Sequence, residues 1–213
     1  MKLYIAHATC SLAAQLIANE LGLSPELVHF DVHDRSTSNG QSFTDVNPLA
    51  YVPVLELDTP AKDRLTETIV VTSYMADQHP DAGLIPAVGT LERAKHDQLL
   101  VFLATEIAQK HIPLMRKLLT DDGAEWTRNK LVKAYTELDQ RLADGRLYLT
   151  GDKFTVADAY VWATMWHKRS GVEIDHLKNL MAYVGRVEAR PSAQKALRDE
   201  ADMVAMHQAR SAA

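Results

Sequence analysis

The amino-acid sequence predicts an α/β domain followed by an all-helical domain. Up to about residue 78, short apolar runs rich in β-favouring residues alternate with segments of helical period. From Thr90 onward the apolar residues recur almost only at helical spacing. Between these regions, His79-Pro80-Asp81-Ala82-Gly83-Leu84-Ile85-Pro86 interrupts every period with two prolines and a glycine. The expected division is therefore residues 1–79 for the first domain, 80–88 for a linker and 89–213 for the helical domain.

The first strand is expected at Lys2 to Ala6. Leu12, Ala13, Leu16, Ile17 and Leu21 then mark a helix from Ser11, which Gly22 stops. Further strands are expected at Leu27 to Val32, Val54 to Leu57 and Arg64 to Thr66. Asp58 to Asp63, a polar stretch containing Pro60, reads as a hairpin turn between the last two. A helix from Glu67 to Gln78 completes a β-α-β, loop or short helix, β-β-α order, which is that of a thioredoxin-like domain. In the second half, Leu99, Phe102, Leu103, Glu106, Ile107, Leu114 and Leu118 mark one long helix, and Leu131, Tyr135, Leu138 and Leu142 another. Thr155-Val156-Ala157-Asp158 is an acidic capping box that opens a helix bearing Tyr160, Trp162 and Trp166. Pro191 suits the first turn of a last helix.

With 213 residues, 46% of them apolar, the chain can bury a proper core. No run approaches the roughly 18 apolar residues of a membrane span, and the N-terminus lacks a secretory pattern, so a cytoplasmic protein is expected. A single cysteine makes no internal disulfide. The formal charge of −5, with His167-Lys168-Arg169 the longest basic cluster, argues against nucleic acid as a partner. There are nine histidines, but His29 and His33 straddle a strand and its loop and no His-Glu-x-x-His pattern occurs, so no metal site is expected.

Three segments carry candidate chemistry. Cys10 sits where a helix begins, beside unpaired N–H groups and the positive end of the dipole. That setting lowers a thiol from about 8.5 to roughly 3.5–7.5; the alternative is a small buried hydrophobe. In Tyr51-Val52-Pro53-Val54-Leu55 the proline lacks a ladder donor and belongs at the first residue or edge of a strand. In a β-α-β-β-α order this loop approaches the first helix and exposes the Val52 backbone beside Cys10, to pair with an extended peptide-like ligand. Thr66-Glu67-Thr68 brings a carboxylate and hydroxyls to a helix N-terminus. There backbone donors suit a ligand carboxylate and Glu67 suits a ligand ammonium group; the alternative for either threonine is a helix cap. His7 either supports a Cys10 thiolate or is an exposed loop residue.

These segments, together with Ala8-Thr9-Cys10-Ser11-Leu12-Ala13, Asn47-Pro48, Leu65-Thr66-Glu67, Pro80 to Leu84, Ala104-Thr105-Glu106 and Phe154 to Tyr160, resemble the cytosolic glutathione transferases, and among them the bacterial beta class. The resemblance implies a thioredoxin-like glutathione domain, a helical domain contributing the pocket for a small hydrophobic electrophile, and a cytoplasmic homodimer acting in detoxification. It implies that Cys10 faces the glutathione sulfur, that Val52 pairs with the tripeptide before a cis Pro53, and that Glu67 and Thr68 hold the γ-glutamyl end. It places Arg35 towards the glycyl carboxylate. Pocket candidates are Val101, Thr105, Ala108, Gln109, His111, Tyr160 and Trp166.

The sequence departs from the class where a His-Lys pair is usual, carrying Ala108 and Gln109, and has Val101 in place of a pocket asparagine. Lys110 and His111 follow, but two or three residues along a helix turn a side chain well away. Two chemistries follow: conjugation, in which the glutathione thiolate attacks an electrophilic carbon, and thiol exchange through a Cys10 mixed disulfide, with thiol transferase or peroxidase side activity. Tyr4 and Ser11 are fallback hydroxyls. The rival reading is a non-catalytic binding or assembly module.

Overall fold

The computed structural model describes residues 1–211. These divide into two compact units, residues 1–82 with 189–213, and residues 83–188.

The first unit is built on a mixed sheet of β1 (Lys2–Ile5), β2 (Glu26–His29), β3 (Val54–Glu56) and β4 (Arg64–Leu65), in the order β2-β1-β3-β4. β1 runs parallel to β2 and antiparallel to β3, with Tyr4 opposite Val54; β3 and β4 form the expected hairpin. Side chains alternate across a strand. Tyr4 and Ala6 of β1 and its exit therefore join Val28, Phe30 and Val54 on one face, where short α2 (Phe43–Val46) supplies Phe43 and Val46. Leu3 and Ile5 turn to the other face, where α1 (Ser11–Glu20) packs on β1 and α3 (Thr68–Asp77) packs on α1.

The last helix, α10 in chain order (Pro191–Ser211), packs on α1 and β2. The compact units differ in extent from the expected division: the described residues from 189 onward group with the N-terminal unit, and the helical unit begins at Gly83 inside the expected linker. The reason is a set of polar ties invisible to periodicity. Arg190 donates to both Glu20 carboxylate oxygens at 2.8 and 2.7 Å, Asn19 donates to the Ser192 carbonyl at 3.0 Å, and the Ser192 hydroxyl bonds Glu20.

The second unit contains α4 (Leu91–Phe102), α5 (Gln109–Met115), α6 (Asp121–Leu142), α7 (Val156–Thr164), α8 (His167–Ser170) and α9 (Lys178–Glu188). The one long helix expected around Leu99 to Leu118 is instead α4 and α5 joined by a π-helical turn at Leu103–Ala108, and it ends before Leu118. Within this turn the Thr105 carbonyl accepts from the Lys110 ammonium at 2.8 Å. Leu99, Leu103, Ile107, Leu131, Tyr135 and Leu138 are buried as their spacing requires. Among the described residues no helix is long and apolar enough to cross a membrane.

The capping box forms as read, and its aspartate does more than cap. Asp158 is fully buried and accepts from the Thr155 N–H at 2.8 Å, the Thr155 hydroxyl at 2.9 Å, the Leu149 N–H at 2.9 Å and the Tyr183 hydroxyl at 2.9 Å. One carboxylate thus joins the start of α7 to the loop before it and to α9. In Asp158→Ala those buried donors lose their acceptor, and denaturant unfolding is expected to show a loss of about 3–5 kcal/mol.

Candidate functional site

Polar side chains in the turn between β1 and α1 present Cys10. The buried Ser11 hydroxyl accepts from the Ala6 N–H at 3.1 Å, and the Thr9 hydroxyl donates to the Ala6 carbonyl at 2.8 Å. Ser11 therefore shapes the start of the helix. Tyr4 is buried in the sheet, packed on Phe43 and donating to Gln41 at 3.1 Å, and burial raises its hydroxyl further above the usual range. The structure brings neither fallback hydroxyl to Cys10 as a partner.

Cys10 immediately precedes α1 and is half-buried. Its Sγ lies 3.4 Å from the Val52 carbonyl oxygen, which can only accept, so the thiol is the donor. The Thr68 hydroxyl also bonds the sulfur. Val52-Pro53 is cis, and Pro53 is buried directly before β3. The predicted approach of this loop to the first helix is thus observed. The predicted thiolate is not: burial pushes the thiol above its ordinary range and the Glu67 carboxylate adds to the push, while hydrogen bonds from Thr68 and from the Cys10 N–H offset only part. The helix N-terminus is outweighed because the site removes water from the sulfur and supplies an acceptor for its proton.

Glu67 flanks the N-terminus of α3 with a φ of 64°. A non-glycine residue held in this region costs of order 1–3 kcal/mol, and such residues gather at binding sites. The side chain is exposed and no side chain caps the helix, which leaves the first-turn N–H groups of α3 without intrahelical partners. Thr68 is buried behind it and faces Cys10 through its hydroxyl. Arg35, in the loop after β2, also has a positive φ, of 62°, and its side chain is exposed. His7 is exposed, and it is tied elsewhere: Nδ1 lies 3.1 Å from the Glu200 carboxylate of α10, which also accepts from the Ala8 N–H at 3.2 Å. Sequence reading missed Glu200, which stands between Asp199 and Asp202 on a polar helix and has no motif to single it out.

The expected pocket residues belong to the second unit. Val101, Thr105 and Gln109 are exposed, Trp166 is half-buried, and Ala108 and Tyr160 are buried. His111 needs correction: it lies in the interior with no exposed surface, one ring nitrogen 2.7 Å from the Ser170 hydroxyl and the other 2.8 Å from the Tyr135 hydroxyl. Burial brings its pKa down to about 4, so it is a neutral structural bridge. Lys110 is committed to Glu106 at 2.9 Å and to the Thr105 carbonyl.

Comparison with known proteins gives this geometry its relatives. The family described as "Glutathione S-transferase, N-terminal domain" matches residues 1–77, and "Glutathione S-transferase, C-terminal domain" matches residues 106–167. The chain is 31% identical over 201 residues to glutathione S-transferase GstA of Escherichia coli O157:H7, covering 94% of this chain and 98% of that one. A bacterial beta class glutathione S-transferase from Sphingomonas chungbukensis is 35% identical with a TM-score of 0.86, over 94% of this chain and 98% of its own. A sphingomonad glutathione S-transferase complexed with glutathione is 35% identical with a TM-score of 0.87, over 94% and 99%. Matched in both halves and alignable with these relatives almost end to end, the chain belongs to the glutathione S-transferase family.

Proposed function

We propose that the chain conjugates glutathione to small hydrophobic electrophiles, with Cys10 acting as a thiol donor to the glutathione sulfur. The observation that carries this reading is the S–H bond from Cys10 to the Val52 carbonyl. An extended tripeptide pairing with the Val52 backbone places its own N–H on that carbonyl and takes the acceptor from Cys10. The released S–H then turns to the ligand sulfur. A hydrogen bond donated to the charged form lowers a pKa, so the glutathione thiol gives its proton to solvent more readily. The resulting thiolate attacks the electrophilic carbon, forming the C–S bond as the leaving group departs with its electron pair. A Cys10 kept in its thiol form suits this role better than that of attacking nucleophile.

In the same reading, the ligand's α-carboxylate meets the first-turn N–H groups of α3 and the Thr68 hydroxyl, its ammonium meets Glu67, and the glycyl carboxylate meets Arg35. Support comes from the glutathione complex of the sphingomonad relative and from the open N-terminus of α3. The proposal includes a cytoplasmic homodimer with a role in detoxification, and an electrophile pocket drawn from the exposed and half-buried candidates Val101, Thr105, Gln109 and Trp166.

Three outcomes are expected. Cys10→Ala should lower kcat for conjugation to an activated aryl chloride by roughly 10- to 100-fold, the worth of one hydrogen bond to a charged acceptor. A wild-type chain that binds glutathione without any turnover of such electrophiles would instead support the binding-module reading. Alkylation of ligand-free Cys10, followed by intact mass against pH, should be slow at neutral pH and reach its midpoint above the usual 8.5 or so, because a raised thiol pKa delays the thiolate. Fast formation of a Cys10 adduct with glutathione disulfide at neutral pH would move the chemistry to exchange. Glu67→Gln should weaken glutathione binding by about tenfold in calorimetry and shift the alkylation midpoint downward, since it removes the negative charge that raises the thiol.

A further inference from the structure

We propose that Asp31, Asp34 and His207 form a binding site for a divalent transition-metal ion such as zinc, separate from the residues of the glutathione site. The two aspartates lie in the loop that leaves β2, and His207 lies near the end of α10, so the site joins two segments of the same unit. The loop is closed by backbone bonds: the Asp31 N–H donates to the Ser36 carbonyl at 3.0 Å, the Arg35 N–H to the Asp31 carbonyl at 2.9 Å and the Ser38 N–H to the His29 carbonyl at 2.8 Å.

Each carboxylate is oriented through one oxygen. Oδ1 of Asp31 accepts from the His33 N–H at 2.7 Å, and Oδ1 of Asp34 accepts from the Ser36 N–H at 2.8 Å and hydroxyl at 2.6 Å. The other oxygens face the imidazole, Asp31 Oδ2 at 3.8 Å and Asp34 Oδ2 at 3.7 Å from His207 Nε2. All three ligand atoms lie within 4.8 Å of one another. Tetrahedral zinc, with bonds of about 2.0–2.1 Å to such atoms, sets them roughly 3.3–3.4 Å apart. The two distances to His207 have to shorten by about 0.3–0.5 Å, and the carboxylate oxygens, which lie within 4.8 Å of each other, close the rest by rotation of the exposed Asp34 carboxylate.

A second observation points the same way. His29, the last residue of β2, is 3% exposed, and neither of its ring nitrogens has a hydrogen-bond partner. Its ring packs edge-on against that of His207, with centroids 5.2 Å apart. Buried polar groups without partners are rare in folded proteins. Here the orphan imidazole packs directly on the ring of the proposed ligand His207, within the field of both aspartates. The Ser36 hydroxyl lies 2.9 Å from His207 Nε2. Because its one hydrogen goes to Asp34, the imidazole must donate to it in the metal-free chain. Metal binding requires the other tautomer: the Nε2 proton is exchanged through solvent for one on Nδ1, which leaves a neutral imidazole with its Nε2 lone pair free for the metal. One imidazole, two carboxylates and a nearby hydroxyl form a set of intermediate hardness, suited to zinc, cobalt, nickel or manganese.

The test is calorimetric titration of the full-length, chelator-treated chain with zinc, repeated with cobalt while its visible ligand-field bands are followed. One equivalent is expected to bind. The affinity should fall at least about tenfold in His207→Gln and, separately, in Asp34→Asn, whose exposed position spares the packing of α10. His176→Gln, at an exposed histidine of the other unit, should bind as the wild type does. Equal zinc affinity in wild type, His207→Gln and Asp34→Asn, or no binding to the wild type, would overturn the proposal and reduce the cluster to ion pairs that dock α10.

Discussion

The antiparallel register of β1 against β3 decides what Cys10 meets. With Tyr4 opposite Val54, the chain leaving β1 and the chain entering β3 run past each other at the same end of the sheet. Val52, two residues before Val54, therefore lies beside the turn that leads into α1. A slip of one residue moves every side chain to the other face, so it would drive Leu3 and Ile5 into the space that Tyr4 fills beside Phe43 and Val54, and packing on both buried faces opposes it. The contact between the Cys10 thiol and the Val52 carbonyl is a consequence of that core. Proline at 53 reinforces it by ending strand pairing there, since it has no N–H to donate.

The same geometry explains why a cysteine at the start of a helix is held as a thiol. The dipole and free N–H groups of a helix end favour a negative charge within the first turn. Against them stand the removal of water from the sulfur, the negative charge of Glu67 and a carbonyl that accepts the thiol's proton. In a half-buried site these outweigh the dipole. The unliganded chain therefore holds Cys10 as a poor nucleophile, its proton directed at the Val52 carbonyl.

Much of this was legible in the sequence, and what was missed has a common cause. Strand and helix order, the hairpin, the capping box at Thr155 and Asp158, the start of the last helix at Pro191 and the approach of the Val52 loop to Cys10 all follow from local periodicity, turn chemistry and element order. The facing of Thr68 and Cys10 was not legible, because Thr68 reads locally as a helix cap or a ligand contact. The π-helical turn at Leu103–Ala108 was not, because one extra residue per turn leaves the apolar pattern nearly intact. His111 resembled a pocket residue by its distance from a motif, yet its partners Tyr135 and Ser170 are 24 and 59 positions away. The tie from Glu20 to Arg190 spans 170 positions, and the aspartates of the loop after β2 meet His207 only through the fold. Spacing rules for metal ligands, which count along the chain, could not register such a group.

The last helix shows how those distant pairs act together. It is fastened at three levels: to the end of α1 through Glu20 and Arg190, to the turn before Cys10 through Glu200 with His7 and the Ala8 N–H, and to the loop after β2 through His207. The middle tie bears on the site. Ala8 holds a φ of 54°, unfavourable for a residue with a side chain, and its N–H is bonded by a carboxylate that is itself almost fully buried. Burial raises the Glu200 carboxyl above the ordinary range, with the Ala8 N–H and His7 offsetting only part. A raised carboxyl pKa means that ionisation in place is opposed by the fold and supported by just these two partners, so the helix and the turn hold each other in position. The geometry of the turn that carries Cys10 therefore depends on a residue 190 positions further along the chain. That dependence is why residues 189–213 belong with the unit that carries Cys10.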